Sequence, residues 1–185
     1  MQEVLVIVEQ CKQNNPEAQH QLYKMLASKL MGICMRYTKS RDLAEDYLQD
    51  SFIKIFTNIS KFENKGSFEG WAKRVTINTI LKGFSKRNVL DKSDDIDEMI
   101  EQPFERGADI ISGMAYKELL TFLQYLPEGK RVIFNLYVME GYTHKEIAEQ
   151  LDINEGTSKS QLAKAKEILR DLHIKHNRVY ATETT

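Results

Sequence analysis

The stretch Gly141–Leu172, GYTHKEIAEQLDINEGTSKSQLAKAKEILRDL, decides how the chain reads. Its first part carries a well-specified helix start. Thr143 stands at a capping position, and Glu146 three residues later completes a capping box. Tyr142 and Ile147 occupy the two places of a hydrophobic staple. Ile147, Ala148 and Leu151 then form one apolar side, and the small Ala148 lets a following helix cross closely. Asp152-Ile153-Asn154 is the turn, with Asn154 placed to cap a second helix. On that helix Leu162, Ala165, Leu169 and Leu172 recur at i, i+3, i+7 and i+10. The opposite side and flanks carry Thr157, Lys159, Ser160, Gln161, Lys164 and Lys166.

Two readings of this pattern stand. One is a helical hairpin with a lysine-rich solvated face. The other is a helix-turn-helix over residues 143–166: a short turn, a tight crossing and a polar second helix. Its outward residue types are those that reach base edges and phosphates in a DNA groove.

The rest of the chain has to fit one of these. It has 185 residues, 42% of them hydrophobic, enough for one ordinary domain or two small ones. Glycine and proline are scarce, alternating strand patterns are absent, and apolar residues recur at helical spacing, so the fold class is all-α. Cys11 and Cys34 form no paired motif, which argues against a disulfide scaffold or zinc module and fits a reducing cytoplasm. The start MQEVLVIVEQ lacks a basic region and has five apolar residues in a row, unlike a signal peptide. No apolar run approaches the roughly 18 residues of a membrane span. The expectation is a soluble cytoplasmic protein.

Charged residues reach 29%, yet the formal net charge is −1. That total hides blocks. Asn15–Arg87 holds 13 basic and 7 acidic residues, a net of +6. Asn88–Ile111 holds 2 basic and 8 acidic residues, a net of −6. Glu155–Arg178 holds 6 basic and 3 acidic residues, a net of +3. The acidic block has weak periodicity and contains Pro103 and Gly107, as a linker does. Two small helical domains follow, over residues 1–87 and 112–178, joined by residues 88–111. The linker is a solvated spacer or has a role of its own.

With the order of elements in view, LPEGKRVIFNLYVMEG followed by GYTHKEIAEQLDINEGTSKSQLAKAKEIL closely resembles the fourth conserved region of bacterial RNA polymerase sigma factors. The matching residues are Leu126-Pro127-Glu128, Glu146-Ile147-Ala148 and Gly156-Thr157-Ser158-Lys159-Ser160. The resemblance implies that Thr157, Lys159, Ser160, Gln161, Lys164 and Lys166 bind the −35 element. Three positions depart from the pattern. Asp152 stands where glycine is usual, Ser158 where valine is usual and Gln161 where arginine is common. The first two are expected to loosen the hairpin, the third to change sequence preference.

The N-terminal half extends the likeness. AEDYLQDSFIKIF, Ala44–Phe56, is a helix with Tyr47, Leu48, Phe52, Ile55 and Phe56 as core and Asp46, Gln49 and Asp50 outward. On their own these three are ordinary solvated polar residues. They also resemble the D-x-x-Q helix by which the second conserved region grips core polymerase. FENKGSFEGWAKRVTINTILKGFSKR, Phe62–Arg87, is a basic stretch interleaved with aromatics, a pattern suited to single-stranded DNA. Trp71 is either core or a platform for bases. The resemblance implies that this stretch opens and holds the −10 element, through Lys61, Asn64, Lys65, Phe68, Trp71, Arg74 and Asn78. Ile77 and Gly83 depart from the family's basic and aromatic choices there.

The chain thus resembles the extracytoplasmic-function (ECF) group of the sigma-70 family. The implied partners are core RNA polymerase, promoter DNA and an anti-sigma factor, often membrane-bound in this group. The rival is a helix-turn-helix regulator that acts without the polymerase. No phosphate loop, nucleophile elbow or HExxH motif occurs, so neither enzyme nor cofactor is expected. His173 and His176 at i, i+3 are weak grounds for a metal, and none is expected.

Overall fold

The computed structural model describes residues 2–86 and 116–183, all helix and loop with no strand among them. The expected acidic linker, 88–111, lies outside the described residues. The chain divides into two compact units, Met1–Lys86 and Arg87–Thr185.

In the first unit, α1 is Gln2–Lys12, α2 Pro16–Tyr37, α3 Arg41–Asn58 and α4 Phe68–Lys86, with a 3-10 turn at Ile59–Lys61 after α3. Each of the three long helices begins on a side-chain cap. Asn15 Oδ1 accepts from the backbone N–H of Glu17 and Ala18 at 3.0 and 3.1 Å, with Pro16 opening the helix. Ser40 Oγ accepts from Leu43 N–H at 3.2 Å, and Ser67 Oγ from Gly70 N–H at 3.1 Å. Helices α2, α3 and α4 pack against one another, and α1 lies on α2. The shared core includes Leu22, Leu30, Tyr37, Ile55, Ile77, Ile80 and Phe84. Both cysteines are buried and unbridged, and burial pushes the Cys34 thiol up to about 12.

Ile77 and Gly83 now have physical reasons. Ile77 is a core residue, so its position on α4 has no outward side to give to a cation. At Gly83, a Cβ would lie 2.6 Å from Tyr47 Cε1 and 2.7 Å from its Oη. The tyrosine ring of α3 occupies the space that any other side chain needs.

In the second unit, α5 is Tyr116–Leu123, α6 Glu128–Phe134, α7 His144–Leu151 and α8 Glu155–Glu183. Helix α6 runs on into a widened π-turn at Asn135–Met139, where Glu140 N–H bonds the Asn135 carbonyl at 3.0 Å. Helices α5, α6 and α7 all pack on α8. Leu123, Leu126, Ile133, Phe134, Leu136, Ile147, Ala165 and Leu169 fill the centre. No helix among the described residues is long and apolar enough to cross a membrane.

Candidate nucleic-acid and partner-binding faces

The hairpin forms as its sequence dictates. Thr143 Oγ1 accepts from Glu146 N–H at 3.2 Å, and Glu146 Oε2 accepts from Thr143 N–H at 2.8 Å, so both halves of the capping box are made. Ile147 and Leu151 are buried and Ala148 half-buried. Asp152 adopts the left-handed conformation, φ 54° and ψ 49°, that the turn requires. Its N–H and that of Ile153 both bond the Ala148 carbonyl. A short polar residue visits this region at modest cost, so aspartate holds the turn that glycine usually makes.

Ser158 is fully buried, as its place on the apolar stripe requires, and its polarity is matched. Its Oγ lies 2.9 Å from Nδ1 of His144, whose ring stacks on Tyr137 at 4.4 Å between centroids. The expected loosening of the hairpin at Asp152 and Ser158 is thus offset at both positions. Burial, then Lys159 and more weakly Lys166, push the His144 pKa below its usual value, against an opposite effect of Glu155 that lies between those of the two cations.

Along α8, Ser158, Leu162, Ala165 and Leu169 form the buried side, whereas Leu172, the last of the expected stripe, is half-buried. At 100° per residue five of the six outward candidates fall on two flanks. Thr157, Gln161 and Lys164 share one, at i, i+4 and i+7. Lys159 and Lys166 share the other, which is the side that His144 feels. Ser160 stands between them on the outer crest, its Oγ donating to the Thr157 carbonyl at 3.1 Å. Thr157, Lys159 and Ser160 are exposed; Gln161, Lys164 and Lys166 are half-buried. Lys159 pairs with Glu155 at 2.7 Å.

In the first unit the loop before α4 projects from an aromatic knot. Phe62 and Phe68 meet edge to face at 5.1 Å, and Trp71 lies 5.8 and 5.4 Å from them. Here one expectation changes. Phe68 is 3% exposed, so it cannot stack on a base; it closes the loop and supports Trp71. Trp71 is half-buried, part core and part surface. Lys61, Asn64 and Lys65 are exposed, with Asn64 at φ 59° and Gly66 at φ 99° shaping the tip. Arg74 and Asn78 are exposed along α4, and Lys82 extends their line by one more turn. Lys82 was legible from its i+4 spacing to Asn78.

On α3, Ala44, Tyr47, Leu48, Phe52 and Ile55 are buried, while Asp46, Gln49 and Asp50 are exposed on the opposite side. Phe56, expected in the core, is half-buried and stacks on Phe52 at 5.9 Å. Ile53 is 63% exposed on the same face as the three polar residues, at i+7 from Asp46 and i+4 from Gln49. Its apolar nature hid it in the sequence, although its register already pointed outward.

Glu118 Oε1 on α5 receives both His173 Nδ1 at 2.9 Å and His176 Nδ1 at 3.4 Å from α8. The histidine pair therefore ties two helices. Among the described residues no group of three or more His, Cys, Asp or Glu is arranged to hold a metal ion.

The second unit thus holds a helix-turn-helix, and the first a basic, aromatic-backed loop and helix. Residues 22–89 match the family profile "Sigma-70 region 2" and residues 116–169 match "Sigma-70, region 4". The chain belongs to the sigma-70 family, whose members are non-catalytic transcription-initiation factors. Among its relatives is the ECF RNA polymerase sigma-E factor of Haemophilus influenzae, 24% identical over 175 residues, covering 89% of this chain and 92% of that protein. The protein of the same name from Escherichia coli (strain K12) is 28% identical over 174 residues, covering 89% and 91%. A solved structure, the sigma factor RpoE in complex with the anti-sigma factor NepR from Bartonella quintana, is 21% identical with a TM-score of 0.48. It covers 83% of this chain and 94% of that one.

Proposed function

We propose that this chain binds core RNA polymerase in the cytoplasm and directs it to promoters, leaving the chemistry to the polymerase. In this reading α8 holds the −35 duplex in its major groove. Thr157, Ser160, Gln161 and Lys164 face base edges or nearby phosphates, and Lys159 and Lys166 track the backbone. Lys61, Asn64 and Lys65 of the loop, with Trp71, Arg74 and Asn78 of α4, hold the melted −10 strand. Asp46, Gln49 and Asp50 meet the polymerase. An anti-sigma factor, inherited from the family likeness, is the regulator that would keep these faces occupied.

The observation that carries this reading over the regulator alternative is the outward face of α3. The acids and the glutamine alone are what any solvated helix carries; the exposed Ile53 on the same stripe makes it the mixed polar and apolar surface that a docking helix presents. The test is transcription from a promoter library by core polymerase with and without this protein. Specific initiation that appears only with the protein supports the proposal. Promoter binding by the protein without any gain in initiation returns the function to a regulator.

A further inference from the structure

We infer that α1 is part of the −10-reading apparatus: Lys12 is a positioning residue that sets the entry of the loop Glu63–Ser67. The inference rests on the proposed role of that loop and adds to it a residue on a different helix.

Lys12 is the last residue of α1. Its Nζ is held by Glu9 Oε1 at 2.8 Å and donates to the backbone carbonyl of Phe62 at 3.2 Å. The side chain is only 22% exposed, so this is not a solvated lysine brushing a surface. The carbonyl it grips stands at the entry of the loop. Phe62 itself is buried, and its N–H bonds back to Ile59 in the 3-10 turn at 3.1 Å. Its ring meets Phe68, which closes the loop at the other end. Between these two phenylalanines all five residues, Glu63 to Ser67, are exposed.

The loop is thus anchored at both ends and open in the middle. Its tip relies on two left-handed residues, Asn64 and Gly66, whose direction follows from the peptide plane that leaves Phe62. A charged donor on that carbonyl fixes the plane more firmly than water does. Preorganisation of this kind lowers the ordering cost of binding a flexible single strand, so its loss appears as weaker and less selective binding. Lys12 itself touches no proposed DNA contact.

The test uses the full chain bound to core polymerase and a fluorescent single-stranded oligonucleotide carrying the −10 sequence, with a scrambled strand as comparison. Lys12→Met keeps the aliphatic stem and removes the donor. It should weaken −10 binding about ten-fold and narrow the gap to the scrambled strand, with thermal stability and −35 duplex binding close to wild type. Lys12→Arg, which restores a donor, should recover most of the loss. Asn64→Ala at the tip should be non-additive with Lys12→Met. Lys12→Met with wild-type −10 affinity and selectivity overturns the inference. So does a loss of −10 and −35 binding in proportion to a fall in stability, which reduces Lys12 to a packing role. Should the wild-type complex not distinguish the −10 strand from the scrambled one, the reading of the loop fails and the inference falls with it.

Discussion

The imidazole of His144 sits where a proton is unfavourable: half-buried, stacked on Tyr137, bonded to Ser158 and facing Lys159 and Lys166. Its folded pKa lies below the unfolded one, with burial the largest cause. The unfolded chain therefore takes up the proton first as pH falls. The stability supplied by the neutral ring is complete above the ordinary histidine pKa and is lost as pH drops through the lower folded value. His144→Gln should flatten the pH dependence of unfolding just below neutrality, measured as wild type minus variant by chemical denaturation. Equal slopes for the two proteins would remove His144 from that role. Gly83 makes a second residue-scale point. Alanine is favoured over glycine in a helix by about 1 kcal/mol. Here its Cβ would overlap Tyr47, which is 5% exposed and cannot swing clear. Overpacking costs about 1–3 kcal/mol, so Gly83→Ala should destabilise by about 1 kcal/mol net, lowering Tm. In a Tyr47→Leu background the same change should turn neutral or stabilising. A penalty that persists without the ring would refute the steric account.

At the scale of elements, the proposed function gives the two polar flanks of α8 different work. Gln161 is able to pair with adenine through two hydrogen bonds, while lysines against phosphates carry no sequence information. Gln161→Ala should relax preference at one −35 position by about 1–3 kcal/mol. Lys159→Ala and Lys166→Ala should weaken all sequences alike, each reducing the salt slope by about one unit. A promoter library transcribed at two salt concentrations separates the outcomes. An unchanged −35 preference in Gln161→Ala would show that this flank does not face bases. The flanks themselves were nearly legible in the sequence, because the stripe Leu162, Ala165 and Leu169 sets the rotation and the capping box sets the start of α7. What the sequence hid was pairing across elements. Ser158 is polar on a buried stripe, and only the approach of His144 from α7 satisfies it. Phe68 sits in an aromatic, basic stretch, and only the Phe62 and Trp71 rings turn it inward. The π-turn at Asn135–Met139 has no local signal, since no glycine or proline marks it.

The two units of the chain each have their own core, so a function that needs both should fail in parts that can be told apart. The α3 face supplies the clearest case. Asp46, Gln49 and Asp50 are exposed, so truncating them opens no cavity in the core. Charged or hydrogen-bonding groups at an interface are worth about 1–3 kcal/mol each when lost. Asp46→Ala with Gln49→Ala should therefore weaken binding to core polymerase by at least ten-fold. Ile53→Ala should add to the loss, because an exposed isoleucine among polar residues is the apolar contact such a face would bury. None of these changes touches the hairpin of the second unit, so helix content and binding to a −35 duplex by the free protein should hold. The pairing of measurements matters more than either alone. Weak polymerase binding with intact duplex binding places the defect on the α3 face. Weak binding in both assays, with a lower Tm, means that the substitutions have loosened the first unit. Unchanged polymerase affinity in the triple variant would leave the acids of α3 as a solvated surface and move the search for the docking helix elsewhere in the first unit.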